Sequence, residues 1–141
     1  MGSVSRNRVL VDAGPIVAIF SQSDEHHDSC VRQLQQCRGS LLTCWPVVTE
    51  AAWLLQRYPD SVGALLSSLK TNPFQLLSLT EADLPGISEL LLRYENLGLQ
   101  LADASLVHLA NRENIEVVFT LDRRDFSVVR RSGGKRLRLI P

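Results

Sequence analysis

The sequence has no excess of charge of either sign: 15 Lys and Arg face 15 Asp and Glu over 141 residues. That excludes a chain coated in basic residues for bulk nucleic-acid binding. No apolar run approaches the roughly 18 residues that a membrane span needs. Cysteine is scarce. Cys30, Cys37 and Cys44 are odd in number, form no CxxC pair and have apolar flanks. They are expected as free, largely buried thiols in a reducing compartment, which points to a soluble cytoplasmic protein. No P-loop and no GxGxxG pattern occurs, so nucleotide hydrolysis and dinucleotide chemistry have no support. His26, His27 and His108 lack ligand partners at useful spacing, so they are expected to pack or lie on helix surfaces instead of binding zinc.

What is present is an ordinary globular composition, with 45% hydrophobic and 21% charged residues. The length fits one domain over residues 1–141. The N-terminal apolar stretch contains Asp12, Gly14 and Pro15, and no small-residue cleavage site follows cleanly. It reads as a strand and a helix, not a targeting segment. The neutral total also hides an asymmetry. Residues 123–141 contain Arg123, Arg124, Arg130, Arg131, Lys135, Arg136 and Arg138 against the single acid Asp125, a net +6, and residues 1–122 are therefore −6.

Hydrophobic patterning predicts strands alternating with helices from end to end. Strands are expected at Arg8–Asp12, Leu41–Trp45, Phe74–Leu79, Glu116–Leu121 and Arg136–Ile140. A helix is expected to open at Gly14-Pro15, because proline is tolerated at a first helical position. Asp24 is the expected cap of a second helix through about Cys37, and further helices follow from Pro46 to Tyr58 and from Pro59 to about Lys70. Thr80 with Asp83 resembles a capping box for a long helix to about Asn96, ended by Gly98. Helices over Ala102–Asn114 and Asp125–Arg131 and a Gly133-Gly134 turn complete the pattern. The expected architecture is a three-layer α/β/α sandwich around a parallel sheet of about five strands. In such sheets ligands sit at the carboxyl ends of the strands.

Acids occupy those ends. Asp12 closes the first strand, and Asp122 closes the fourth with Asp125 three residues on. Taken alone, Asp12 could be a helix cap and Asp122 a turn residue. On a helix, Glu50 has Pro46, Val47, Trp53 and Leu54 as same-face neighbours. It therefore points toward an apolar face, where an unpartnered carboxylate costs several kcal/mol. Asp103 stands in the first turn of a helix whose next residues are apolar, although the helix dipole alone would favour an acid there. Four carboxylates gathered at one edge would repel each other. A hard divalent cation, Mg²⁺ or Mn²⁺, is the simplest partner. Trp45 and Trp53 flank Glu50 and are expected mainly in the core, with base stacking as the other option. Arg123, Arg124, Arg130 and Arg131 are candidates for guiding a nucleic-acid backbone, against the reading of a solvated basic face.

The segments VDAGPIVA, TEAAWLL, LADASLVHLA and VFTLDRRDF resemble the four acidic motifs of PIN-domain nucleases, and most closely those of the VapC-like ribonucleases. The resemblance runs from about Val9 to Ile140. It implies a metal-dependent RNA endonuclease leaving 5′-phosphate and 3′-hydroxyl ends. Asp12, Glu50, Asp103 and Asp122 would be its metal-binding acids, Asp125 an auxiliary acid, and Thr120 a hydroxyl orienting water. It also implies an RNA substrate of unspecified class (tRNA, rRNA or mRNA), a toxin's cognate antitoxin and a homodimer. The Asp24-Glu25-His26-His27 stretch is similar to a D-x-H-H sequence of relatives, and Asn96 stands where relatives often carry an acid. Two other classes remain open on the residues alone. One is an inactive PIN-fold binding module. The other is a Mg²⁺-dependent phosphotransfer protein, for which the only lysines, Lys70 and Lys135, are poorly placed.

Overall fold

The computed structural model of the chain describes residues 7–141. The leading residues Met1 to Arg6, part of the expected 1–141 domain, lie outside it. Five strands, β1 (Arg8–Val11), β2 (Ser40–Thr43), β3 (Phe74–Leu76), β4 (Val117–Phe119) and β5 (Arg138–Ile140), form one parallel sheet in the order β3-β2-β1-β4-β5. Among the described residues seven α-helices flank it: α1 (Ala13–Phe20), α2 (His27–Gln36), α3 (Trp45–Leu54), α4 (Pro59–Thr71), α5 (Leu84–Arg93), α6 (Leu101–Glu113) and α7 (Arg123–Val128). The expected α/β/α sandwich is therefore the observed one. Leu10, Val11, Leu41, Leu42, Val118 and Phe119 are all buried, as strands covered on both faces require.

The chain leaves β1 toward β2 on one side and returns to β4 on the other. The crevice between the ends of β1 and β4 is thus the topological switch point of the sheet. Val11 pairs with Phe119 there, so the residues just beyond them emerge side by side.

Several boundaries differ from expectation for identifiable reasons. α1 starts at Ala13, two residues before Pro15, because the Asp12 side chain caps it and Pro15 falls in the first turn, whose N–H groups need no helical partner. Asp24 bonds the His26 N–H in a tight turn, and α2 begins later, at His27. The long helix expected from Thr80 is broken. Thr80 and Asp83 form a capping box on a 3₁₀ turn (Glu81–Asp83), α5 follows, and a second 3₁₀ turn ends on the left-handed Gly98. α7 starts at Arg123, not Asp125, because Asp122 is its cap.

Asp83 also does something its spacing does not reveal. Its buried Oδ1 lies 2.7 Å from His108 Nε2 and accepts from Arg112 Nη1 at 3.0 Å, while Arg112 also donates to the Ser78 carbonyl. Two residues of α6 are thereby tied to the turn before α5. The imidazole lies so close to Gly86 that a Cβ there would stand 2.5 Å from Nδ1. The Thr80 N–H, His108 and Arg112 hold the Asp83 carboxyl well below the usual carboxylate range. Its contribution to stability is therefore present above about pH 4 and is lost as pH falls below that. Asp83→Asn should lower the melting temperature by several degrees at pH 7. In thermal unfolding followed across pH, this deficit should shrink below about pH 4.

Candidate active site

The acids at the carboxyl edge are set by strand and helix ends. Asp12, 6% exposed, follows β1. Its Oδ1 accepts the Ala13 N–H at 2.8 Å and its Oδ2 accepts the Thr120 hydroxyl at 2.8 Å. Capping and site position are thus one role, not alternatives. The Thr120 oxygen in turn accepts the Asp122 N–H at 2.9 Å, so this fully buried hydroxyl couples two acids and commits its only proton to Asp12. Asp122 caps α7 by accepting the Asp125 N–H at 3.1 Å.

Asp103 sits in the first turn of α6, where its Oδ2 accepts the Gln100 N–H at 3.3 Å. The residues that follow, from Ala104 to Val107, are buried and anchor the helix. Glu50 projects from α3. Val47, Val48 and Ala51 of that helix face the core.

Asp12, Glu50, Asp103, Asp122 and Asp125 all line one cavity of about 430 Å³. Its remaining wall includes Gly14, Leu54, Gly98, Gln100 and Leu121. Gln100 was not singled out from sequence. The signal was its place three residues before Asp103, the mirror of a capping box. Among the described residues, no salt bridge joins a Lys, Arg or His to any of the five acids. Burial, partly offset by the Thr120 and Ala13 hydrogen bonds and reinforced by the Glu50 and Asp122 charges, pushes Asp12 up to about 6. Burial and the Asp12 charge do the same to Asp103. Glu50 is raised by burial and by Asp103, and Asp125 by burial and by Asp122.

Two sequence expectations are corrected. Trp45 and Trp53 are 56% and 66% exposed, not core residues. Leu54 is exposed as well, so the apolar neighbours of Glu50 belong largely to an open surface and Glu50 lies at the core boundary. The four arginines also separate. Arg123 and Arg124 open α7 beside Asp122, exposed, and Arg123 Nη1 donates to the Pro141 carbonyl at 2.8 Å. The Arg130 guanidinium donates to the carbonyls of Ser127 and Val128, and Arg131 bonds Asn114 and lies 3.8 Å from Glu116. Asn114 and Glu116 precede β4, at the sheet edge opposite the acids, so Arg131 is tied there, while Arg130 is tied to the end of α7. The thiols are free as expected, and burial pushes Cys44 up to about 11, so it is a neutral packing group.

The donor set is all oxygen, anionic and uncompensated, which fits a hard divalent cation. The fit is one of chemistry and shared cavity. Among the described residues, no three acidic, His or Cys side chains are already grouped so that they could hold an ion. Fold and cavity together define a class: a parallel α/β protein with a carboxylate site at its switch point.

Residues 9–132 match the PIN domain model, and the chain belongs to that family. It is 27% identical over 135 residues to Ribonuclease VapC26 of Mycobacterium tuberculosis, covering 94% of this chain and all of that protein. Its fold is similar to that of M. tuberculosis VapC20, a sarcin-ricin loop cleaving toxin, with TM-score 0.77 and 17% identity over 83% of this chain and 92% of the other. It is also similar to a Klebsiella pneumoniae toxin–antitoxin complex chain, with TM-score 0.67 and 16% identity over 94% and 96%. A third similar chain comes from Rickettsia felis VapBC2 bound to promoter DNA, with TM-score 0.62 and 14% identity over 95% and 99%.

The charge crowding has a measurable consequence. A carboxyl whose folded pKa is raised destabilises the folded state above that pKa and is neutral to stability below its unfolded value. Metal-free Asp103→Asn should therefore be more stable than wild type by about 1–2 kcal/mol at pH 7.5. In urea titrations the gain should fall through pH 6 and vanish near pH 4.

Proposed function

We propose that this protein is a divalent-metal-dependent ribonuclease, the toxin component of a toxin–antitoxin pair, with residues 1–141 forming a single PIN domain. The observation that carries the reading is the convergence of Asp12, Glu50, Asp103 and Asp122 on one cavity at the switch point, with no cationic side chain bonded to them among the described residues. The family membership and the named activity of VapC26 support it. Neither Lys70 nor Lys135 lines the cavity, which leaves the phosphotransfer alternative without its cation.

Asp12, Asp103, Asp122 and Glu50 would hold the metal, with Asp125 as an auxiliary acid. When bound, Mg²⁺ or Mn²⁺ would acidify water and neutralise charge on the scissile phosphate. The chain does the rest. Ala13 N–H and Thr120 keep the Asp12 carboxylate in one orientation, and Gln100 N–H does so for Asp103. Among the described residues no histidine lines the cavity, so a carboxylate takes the proton as the water oxygen bonds to phosphorus. The P–O3′ bond would then break, and the carboxyl so protonated, or a water, would return a proton to the 3′-oxygen, leaving a 3′-hydroxyl and a 5′-phosphate. Arg123 and Arg124 supply positive charge at the rim for the flanking backbone. The toxin–antitoxin chains of similar fold support an antitoxin as the protein partner.

RNA cleavage should require Mg²⁺ or Mn²⁺ and stop with EDTA. Groups behind metal ligands alone are worth about 10–100-fold, so Asp12→Asn and Asp103→Asn should lose on the order of a hundredfold or more while melting cooperatively. Full activity in folded Asp103→Asn would refute the scheme. The Arg123/Arg124 double alanine variant should bind RNA more weakly and with a shallower salt dependence. The Arg130/Arg131 double alanine variant should instead lose stability and keep the salt slope.

A further inference from the structure

The +6 of residues 123–141 is only partly accounted for by the rim arginines and by the tied Arg130 and Arg131. Lys135, Arg136 and Arg138 are left. All three are exposed, and among the described residues none is within salt-bridge distance of an acid. They lie on β5, the edge strand of the sheet, and on the extended segment leading into it. Leu137 and Leu139 between and beyond them turn to the core, so Arg136 and Arg138 turn outward together. Two residues of extended chain span about 6.6 Å, a step comparable with that between successive phosphates of a nucleic-acid strand.

This line of cations leads to the acidic cavity. The Ile140 carbonyl accepts the Thr120 N–H at 3.0 Å, so β5 ends beside the strand end from which Asp122 emerges. Arg123 bonds the Pro141 carbonyl at the same place. Extended chain at roughly 3.3 Å per residue puts Arg136 about 16 Å from Pro141. The turn before Arg136 holds the left-handed Gly133 and Gly134, and open space lies where their Cβ atoms would stand. A phosphate can therefore approach that backbone closely.

We propose that Lys135, Arg136 and Arg138 form a backbone track on the β5 edge, which holds phosphates of the RNA strand several nucleotides from the bond cut in the acidic cavity. The proposal rests on the ribonuclease reading of that cavity and goes beyond it. The track supplies affinity, not chemistry, and it responds to the length of the strand, not to its sequence. Strands that reach past the Arg123–Arg124 rim bind more tightly than strands that stop there. The occupant follows from composition. From residue 129 onward no large apolar side chain is exposed among the described residues, so the surface lacks the apolar anchors of a protein interface. Charge alone is what a phosphate backbone needs.

The Asp12→Asn protein is titrated, in Mg²⁺, with an end-labelled mixed-sequence 12-mer RNA by fluorescence anisotropy over a range of salt, and a 4-mer is measured by competition. A Lys135→Gln/Arg136→Gln/Arg138→Gln variant should bind the 12-mer about tenfold more weakly. Its salt slope should be shallower by about 2, the release expected from three single-strand phosphates, while its affinity for the 4-mer is unchanged. The Arg136→Lys/Arg138→Lys variant keeps the charges and should keep the slope. Arg32→Gln/Arg38→Gln/Lys70→Gln removes three other exposed cations and should leave 12-mer affinity within about twofold. Parent affinity and slope in the track variant overturn the proposal. So does equal weakening in the Arg32/Arg38/Lys70 variant, which would assign the effect to net charge, or equal weakening for the 4-mer, which would place it in the cavity. Unchanged RNA binding with weakened binding of poly-L-glutamate would assign the patch to an acidic protein segment and also overturn it. RNA cleavage that is lost in Asp12→Asn, with 12-mer binding unmoved by the track variant, would sink the track and leave the nuclease reading standing. Track-dependent 12-mer binding by a protein that cleaves no RNA in Mg²⁺ or Mn²⁺ would do the reverse.

Discussion

The structure depends on a buried negative charge at the end of its central strand. Asp12 is nearly inaccessible, yet among the described residues its side chain accepts only two hydrogen bonds, from the Ala13 N–H and the Thr120 hydroxyl. Those bonds lower its pKa less than burial and the neighbouring acids raise it. The fold thus places a carboxylate where its ionised form is under-compensated, and then brings Asp103 and Glu50 into the same cavity. Packing has to oppose that repulsion. It comes from the apolar strands β1 and β4, whose register sets Asp12 beside Thr120, and from the buried face of α6 behind Asp103. A site built this way has a use for a divalent cation that a neutral pocket would not have.

Charge elsewhere is spent on holding the frame. Asp83 binds His108 and Arg112 and so fixes α6 against the turn before α5. Its carboxyl pKa is lowered while those of the site acids are raised, and the difference follows from surroundings: the Thr80 N–H, His108 and Arg112 for Asp83, burial and then mutual repulsion for the others. The basic C-terminal segment divides in the same sense. Arg130 bonds carbonyls at the end of α7 and Arg131 an amide and an acid at the far edge of the sheet, whereas Arg123 and Arg124 open α7 beside Asp122, where Arg123 also donates to the Pro141 carbonyl. The +6 of that segment is therefore not a single surface.

The fold was largely legible because its strands are short, continuously apolar runs separated by helical periodicity, and a parallel sheet buried on both faces demands that pattern. The acids were legible for a related reason. Strand ends in such a sheet share one edge, so Asp12 and Asp122 had to converge whatever the loops did. The boundaries that slipped did so at capping residues. Asp12 and Asp122 each cap the helix they precede, which moved α1 and α7 toward the N-terminus. The tryptophans were misplaced because residue type argued for the core, while α3 turns only its Val47, Val48 and Ala51 side inward.

By itself the sequence determined the class of fold, the carboxylates and the edge of the sheet on which they lie, because these follow from hydrophobic period and from the common direction of parallel strands. Only the tertiary structure decided which charges are paired. Whether an acid meets a guanidinium, a hydroxyl or another acid depends on contacts between segments up to 108 residues apart, as with Asp12 and Thr120. It likewise decided that the indoles face water beside the acidic cavity, since the exposed side of α3 is whatever its neighbours leave uncovered.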